Sequence, residues 1–238
     1  MTISSSYNYT TTRDDLISGA LRLLGVIGQG QTPNTDQVTT ASEALNQIVK
    51  AWAAEGLPIW LIKKQDITLT SGVNTYSIGL SQTVNVAKPL RIYQVLLHNI
   101  STEIDIPMTP KSRDEYQRLT QKESAGQPIF YYYEALRETG NLYVYPTPNS
   151  VSAGANTVQI IYQSPLADFD ASTDEPDLPQ EGIRALKWVL ADELSFEYGY
   201  PTKERQELHM RAEQLKQEFW GSVQEESSLY FQPEIRRF

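Results

Sequence analysis

Two stretches near the start of the chain place apolar residues three and four positions apart. In the first these residues are Leu16, Ile17, Ala20, Leu21 and Leu24, and in the second they are Val38, Ala41, Leu45, Ile48, Val49 and Trp52. This spacing collects the apolar side chains on one side of an α-helix. Because a turn containing Gly, Pro and Asn separates the stretches, residues 14–57 are predicted to form a helical hairpin whose apolar stripes need partners.

The second helix has recognisable sequence features at both ends. Asn34 and Gln37 have the spacing of a capping box, in which each side chain accepts a hydrogen bond from the other residue's backbone. Gly56 and Pro58 are residue types that end helices. The second helix is therefore predicted to begin after Asn34 and to end at Gly56.

The periodicity changes to that of β-strands in the middle of the chain. Runs rich in β-branched and aromatic residues, separated by turn residues, predict strands at 60–70, 75–78, 90–97, 128–134, 141–145 and 156–163. One short helix is predicted at 110–119, with Thr109 as its N-cap. The middle of the chain is thus predicted to be a β-rich module with one small helix.

Helical spacing returns after an acidic segment. Asp177, with Pro179 and Gln180 behind it, marks the start of a helix whose stripe contains Ile183, Leu186, Val189, Leu190 and Leu194. A last helix over 202–227 has a narrow stripe of Leu208, Ala212, Leu215, Phe219 and Val223. A narrow stripe is typical of a helix on the outside of a bundle.

These elements predict an α+β fold. Helices from both chain ends, residues 14–58 and 178–227, are expected to form a four-helix bundle, because each pair has an apolar face without a partner. The β-rich module, residues 59–165, is inserted between the pairs, so its two ends must lie close together. An acidic linker covers residues 166–177, and an extended tail covers residues 228–238.

An N-terminal arm, residues 1–13, precedes the first helix and is rich in Ser, Thr and Tyr in its first twelve positions. One interpretation is a frayed chain end. The other is that Tyr7 and Tyr9 become ordered against a neighbouring subunit.

Composition narrows the classes of protein. Of the 238 residues 40% are hydrophobic, which indicates a globular protein, and the absence of cysteine excludes disulfides and thiolate sites. No apolar run approaches the roughly 18 residues of a membrane span, so a soluble protein that stays in the compartment of its synthesis is expected. A net charge of −9 argues against a protein that wraps nucleic acid, but not against a surface past which DNA slides.

The residue types of enzymes and metal sites occur without the required spacing. His98 and His209 have no neighbouring metal-ligand pattern. The segment from Asp168 begins like a calcium loop, but Thr173 and Pro179 replace its essential glycine and glutamate. No nucleophile or phosphate-binding motif occurs. The sequence therefore predicts no catalytic, metal-binding or cofactor-binding residue, no cofactor, and a protein that is not an enzyme.

Six tyrosines cluster in the predicted strands: Tyr131, Tyr132, Tyr133, Tyr143, Tyr145 and Tyr162. They are compatible with a platform on which bases or sugars stack. Tyrosine also favours strands, where alternation places some rings in the core and others outside it. Because basic residues are not interleaved with these tyrosines, the sequence favours the structural interpretation.

The C-terminal tail is too apolar for a solvated chain end. Its anchor residues are Tyr230, Phe231, Ile235, Arg236, Arg237 and Phe238. Aromatic residues and arginine are enriched in protein interfaces. The tail is therefore predicted to bind protein, either by docking into another subunit or by packing back on its own bundle.

Three segments together resemble the head-to-tail adaptor proteins of tailed bacteriophages, of the type called tail tubular protein A or packaged-DNA stabilisation protein. They are DDLISGALRLLGVIG at 14–28, EALNQIVKAWAAEGLPIW at 43–60 and DLPQEGIRALKWVLADELSFEYG at 177–199, which is followed by a long polar helix. The resemblance covers both chain ends, whereas the β-rich module matches in style only.

The resemblance implies a homo-oligomeric, dodecameric ring under the portal protein of the virion, at the head–tail junction, after assembly in the host cytoplasm. Such a ring extends the DNA channel, helps to retain the packaged genome, and joins a distal tail protein (nozzle or hub). DNA would pass through without sequence-specific binding, no membrane would be involved, and the tail residues from Tyr230 to Phe238 would dock on the portal.

Other interpretations remain open at this point. A non-viral protein-binding module with a β-rich recognition domain, or an enzyme with an unrecognised site, would fit the same pattern. The acidic residues at 168–181 would line the channel in one interpretation and form a solvated linker in the other. The linker is favoured, because blocks of like charge are usually solvated.

Overall fold

The computed structural model describes residue 6 and residues 8–55 and 59–223. Within them the protein combines helices and sheets, which confirms the predicted α+β class. The helices are α1 (Arg13–Leu23), α2 (Thr35–Glu55), α3 (Arg113–Gln117), α4 (Ser150–Ala155), α5 (Gln180–Glu197) and α6 (Thr202–Ser222). The strands are β1 (Ile62–Thr68), β2 (Thr75–Ile78), β3 (Arg91–Asn99), β4 (Ile104–Pro107), β5 (Thr109–Pro110), β6 (Ala125–Gly126), β7 (Phe130–Ala135), β8 (Gly140–Tyr145), β9 (Thr147–Pro148) and β10 (Asn156–Gln163).

The chain divides into two compact units. The helical unit comprises residues 1–45 and 169–238, and the β unit comprises residues 46–168. The division falls within α2, whose first half belongs to the helical unit and whose second half belongs to the β unit.

In the helical unit, α5 packs against both α1 and α6. The predicted apolar stripe of α1 is buried throughout, as are most of the stripe residues predicted for α5 and α6, including Leu186, Leu190 and Leu215. Burial of these stripes is what stabilises helices of this length in water. None of the described helices is long and apolar enough to cross a membrane.

A capping box marks the start of α2, whereas α5 begins without a side-chain cap. The predicted capping box of α2 is confirmed, since the backbone N–H of Asn34 donates to Gln37 Oε1 at 2.9 Å and that of Gln37 to Asn34 Oδ1 at 2.8 Å. The helix stop predicted at Gly56 and Pro58 lies outside the described residues. The start of α5 was predicted at Asp177, but the helix begins at Gln180, and its cap residue Pro179 makes no side-chain cap hydrogen bond.

The predicted boundaries of the small helix α3 were wrong. The helix spans Arg113–Gln117 and has a complete capping box formed by Ser112 and Glu115. The proposed N-cap Thr109 instead belongs to β5, which pairs in parallel with β7. Pairing with a strand far along the chain therefore takes precedence over the local tendency of Thr-Pro to start a helix.

The β unit contains two four-stranded sheets that contribute to one buried cluster. The first sheet has the order β1-β10-β3-β4 and the second has the order β2-β8-β7-β5. Residues of both sheets, such as Val95 and Ile160 from the first and Tyr76 and Leu142 from the second, belong to the same hydrophobic core. The sequence pattern missed the short elements β4 and α4.

The two ends of the β unit lie side by side, as an inserted module requires. The backbone N–H of Ser164 donates to the carbonyl of Leu61 at 2.8 Å. The side-chain amide of Gln163 donates to the carbonyl of Ala53, in the last turn of α2, at 2.8 Å. Because the last carbonyls of a helix lack partners within it, this bond satisfies a group that would otherwise be buried unpaired.

The acidic segment forms an ordered turn that holds the start of α1. The backbone N–H of Arg13 donates to the carbonyl of Asp174 at 2.8 Å, and its guanidinium donates to the carbonyl of Asp170 at 3.1 Å. Oδ2 of Asp174 accepts hydrogen bonds from the backbone N–H groups of Asp170 and Ala171. This turn is a structural part of the helical unit, although its carboxylates face solvent in part.

Candidate functional site

The residues predicted to dock on a partner lie outside the described residues. They are Tyr230, Phe231, Ile235, Arg236, Arg237 and Phe238, and the description ends at Val223. Their role in docking stays a prediction. The structure does describe the helix that carries them, and it shows how the end of that helix is held.

The last turns of α6 are fixed against the first turn of α5. Phe219 is buried, and its ring lies next to Trp220 with 5.6 Å between the ring centroids. A Cβ atom at Gly182 would lie 2.7 Å from Cζ of Phe219. Only glycine allows this approach, so the segment that precedes the tail starts from a tightly packed helix end.

A hydrogen bond between His209 and Asp192 connects the middle of α6 to α5. Nδ1 of His209 lies 2.7 Å from Oδ2 of Asp192. The hydrogen bond to Asp192, together with the negative charge of that carboxylate, raises the pKa of His209 above its ordinary value. The imidazole is largely exposed, so solvent screens much of this interaction.

The His209 pair predicts a pH-dependent contribution to stability. Because the folded-state pKa is raised, the contribution is fully present below the ordinary histidine pKa of about 6.5 and is lost as pH rises through the folded-state value. We expect His209→Ala to lower the free energy of unfolding more at pH 5.5 than at pH 8.5, by a small amount, in urea denaturation. Met210→Ala, an exposed neighbouring change without a titrating group, should have the same effect at both pH values. A pH-independent effect of His209→Ala would contradict the prediction.

The tyrosines divide as strand alternation predicts. Tyr131 and Tyr162 are buried in the core of the β unit. Tyr132 and Tyr143 stack with 5.6 Å between ring centroids, and Tyr116 of α3 covers both at 5.6 and 5.2 Å. The packing of these rings against one another favours the structural interpretation of the tyrosines over a platform for stacking bases.

Two lysines nevertheless lie over rings of the aromatic face, which consists of Tyr116, Phe130, Tyr132 and Tyr143. Nζ of Lys111 lies 4.9 Å from the ring centroid of Phe130, and Nζ of Lys122 lies 5.8 Å from that of Tyr116. Both lysines come from segments outside the tyrosine-bearing strands, so the absence of basic residues interleaved with the tyrosines in the sequence did not indicate this proximity. Glu134 accepts a hydrogen bond from Tyr143 and pairs with Arg113, so the face carries both signs of charge.

A groove between α1 and α5 collects cations. It has a volume of about 480 Å³, and its walls include Arg22 from α1 with Arg184 and Lys187 from α5. Residues Tyr9 to Thr11 form another part of the wall, and Asp15 is the carboxylate that lines it. The stem of Lys187 lies over Gly19, where an added Cβ would be 2.9 Å from its Cδ. Sequence reasoning missed this groove, because its cations come from opposite ends of the chain.

Metal-ligating residue types are not clustered in the part of the chain that the structure describes. That part has no group of three His, Asp or Glu side chains able to hold a metal ion. Ser195, close to the His209–Asp192 pair, is fully buried and donates to the backbone carbonyl of Asp192 at 2.6 Å. A nucleophile must reach a substrate, and this hydroxyl is committed to its own helix.

Comparison with known proteins leads to a family. No curated protein matches the chain. The family model described as SU10 adaptor protein matches residues 11–236, which include nearly all of both units and most of the tail. The match confirms the resemblance to phage head-to-tail adaptors. The adaptor family consists of structural proteins. The assignment to the tail tubular protein A type stays a prediction. The chain therefore belongs to the SU10 adaptor protein family.

Proposed function

We propose that this protein is a non-enzymatic structural component of a phage virion that forms a ring beneath the portal protein and joins it to the tail. The observation that carries the proposal is the family match over residues 11–236. The ring extends the channel for packaged DNA and helps to retain the genome. It lies at the head–tail junction and is assembled in the host cytoplasm.

The helical unit supplies the body of the proposed ring. In this proposal α2 completes a four-helix bundle with α1, α5 and α6, since Ala41 and Leu45 of α2 are buried in the described structure. The bundle comprises residues 14–58 and 178–227, and the β-rich module inserted at 59–165 meets the distal tail protein. The proximity of Leu61 and Ser164 supports an insertion with adjacent ends.

The charge of the protein suits a channel that DNA traverses. Each copy carries a net charge of −9, so a dodecameric ring repeats this charge around its axis. Like charges repel weakly across salt solution, which keeps DNA from adhering to the wall. DNA would therefore pass without sequence-specific binding.

The tail provides the contact with the portal in this proposal. Its aromatic and arginine residues are of the types that anchor interfaces. The packing of Phe219 against Gly182 supports the proposal, because a fixed helix end limits the positions that a short following segment can reach.

Removing residues 228–238 tests the proposed docking. We expect the truncated chain to lose assembly on purified portal rings, as measured by electron microscopy of mixtures. The fold should be retained, because the buried stripe of α6 extends only to Phe219 within the described residues. Thermal unfolding followed by circular dichroism checks that point.

A matched control uses the same tail with its anchors intact. The variant Gln232→Ala/Glu234→Ala changes two tail residues outside the anchor set and should still assemble. Tyr230→Ser/Phe231→Ser should fail like the truncation. If the truncated chain assembled on portal rings as well as the full chain, the docking proposal would be wrong. If the full chain did not assemble on portal rings, the proposed function would be wrong.

A further inference from the structure

The cations of the α1–α5 groove have no partner within the helical unit. Arg22, Arg184 and Lys187 line the groove, and among the described residues none of the three forms an ion pair or a side-chain hydrogen bond. Asp15 is already engaged, since its Oδ2 accepts a hydrogen bond from Thr12 at 2.8 Å. In a chain of net charge −9, three cations that line one groove without an ion pair in the described part of the chain are available to an acidic segment of another molecule.

Complementary carboxylates lie on the acidic turn, residues 168–177. Asp170 and Glu175 are exposed, and their carboxylates form no ion pair among the described residues. Hydrogen bonds hold the turn in shape, from Arg13 to the carbonyls of Asp170 and Asp174. The carboxylates are therefore presented on an ordered segment, which reduces the entropy lost when a partner binds.

We propose that the groove of one copy receives the acidic turn of the next copy. The proposal rests on the ring of the proposed function and names a contact between its subunits. Because the two surfaces differ, the contact is heterologous, and repetition of a heterologous contact closes into a ring or continues as a filament. Thr10 and Thr11 in the groove wall add hydroxyl donors for the incoming carboxylates.

A protein segment fits the groove better than nucleic acid does. Binding a phosphate backbone needs a basic footprint that extends over many phosphates. This groove of about 480 Å³ offers three cations beside one carboxylate, on an otherwise acidic protein. Two carboxylates on a turn match the charge of this site.

The absence of cysteine allows a direct test of the contact. Full-length chains with Thr11→Cys and with Thr173→Cys place one thiol in the groove wall and one in the acidic turn. A short bismaleimide should cross-link a mixture of the two chains at low ionic strength and on portal rings, whereas Thr11→Cys alone should not cross-link. At high salt in solution the yield should fall, because exposed ion pairs are screened.

Charge exchange tests whether the named residues make the contact. In the cysteine background, Arg22→Glu/Arg184→Glu should lower the cross-linking yield at least tenfold, and so should Asp170→Arg/Glu175→Arg. Mixing the groove variant Arg22→Glu/Arg184→Glu with the turn variant Asp170→Arg/Glu175→Arg should restore the yield, because the charges of the two surfaces are then opposite again. Lys64→Glu/Lys203→Glu, which makes the same change in net charge at exposed sites elsewhere, should leave the yield unchanged.

The outcomes separate this inference from the proposed function. Portal-bound rings with no cross-link, or with a yield that charge reversal leaves intact, would overturn the inference alone. Cross-linking of the free chains without any assembly on portal rings would support the inference and overturn the proposed function. The variant Arg22→Glu/Arg184→Glu could instead lose binding to double-stranded DNA in a gel-shift assay while its cross-linking yield stays unchanged. That result would assign the groove to nucleic acid and overturn the inference. Failure of the exchanged pair to restore the yield, with circular dichroism showing folded chains, would also overturn it.

Discussion

Replacing Trp52 with alanine is expected to lower the free energy of unfolding by about 3–5 kcal/mol. Trp52 lies in the last turns of α2 and is 2% exposed. Truncation removes the largest side chain among those that are almost fully buried in the described residues, and it leaves a cavity that the surroundings fill only in part. Urea denaturation followed by far-ultraviolet circular dichroism measures the loss without depending on tryptophan fluorescence.

An exposed aromatic residue provides the comparison for Trp52. Phe196 on α5 is 67% exposed, and the guanidinium carbon of Arg205 lies 4.2 Å from its ring centroid. Phe196→Ala should cost no more than about 1 kcal/mol, the value of an exposed cation–π contact. If Trp52→Ala and Phe196→Ala lowered the free energy of unfolding by similar amounts, burial would not explain the effect of Trp52.

Replacing Gly182 with alanine is expected to lower the free energy of unfolding by about 1–3 kcal/mol, the usual cost of overpacking. The added Cβ would lie 2.7 and 2.8 Å from two carbon atoms of the Phe219 ring. Phe219 is buried and its ring has little room to retreat, so α5 and α6 would have to move apart. The loss is expected even though alanine favours a helix over glycine by about 1 kcal/mol.

Gly221 is the matched control for Gly182. It also lies in a helix, near the end of α6, and a Cβ there would meet no atom within 4 Å. Gly221→Ala should therefore keep or raise the free energy of unfolding, by at most about 1 kcal/mol. Destabilisation by both changes to the same degree would contradict the role assigned to the Gly182–Phe219 contact. Thermal unfolding of both variants under the same conditions gives the comparison.

Periodicity and capping residues predicted the long helices well, because their determinants are local. The stripe of α1 is buried as expected, and the capping box of Asn34 and Gln37 is formed. The errors occurred where distant pairing decides the structure. Thr109 joins β7 instead of capping a helix, and the four residues of β4 are too few to show a period in the sequence.

The groove between α1 and α5 and the surroundings of the stacked tyrosines were harder to predict than the fold. The groove cations Arg22 and Arg184 are far apart in sequence, and only the packing of α1 on α5 brings them together. Lys111 and Lys122 reach the aromatic face in the same way. The docking role of the tail was predicted from its aromatic and arginine composition and stays a prediction, because the tail lies outside the described residues.

The order of the two units along the chain determines the order in which they can fold during translation. The β unit is one continuous segment, residues 46–168, so it can form as soon as it leaves the ribosome. The partner of α1, by contrast, is α5, which begins only at Gln180. At about 5–20 residues per second, the apolar stripe of α1 stays uncovered for roughly 10–30 s. During that time the nascent chains on one polysome all expose the apolar stripe of α1. A chaperone that binds this stripe would therefore raise the yield of assembly-competent subunits.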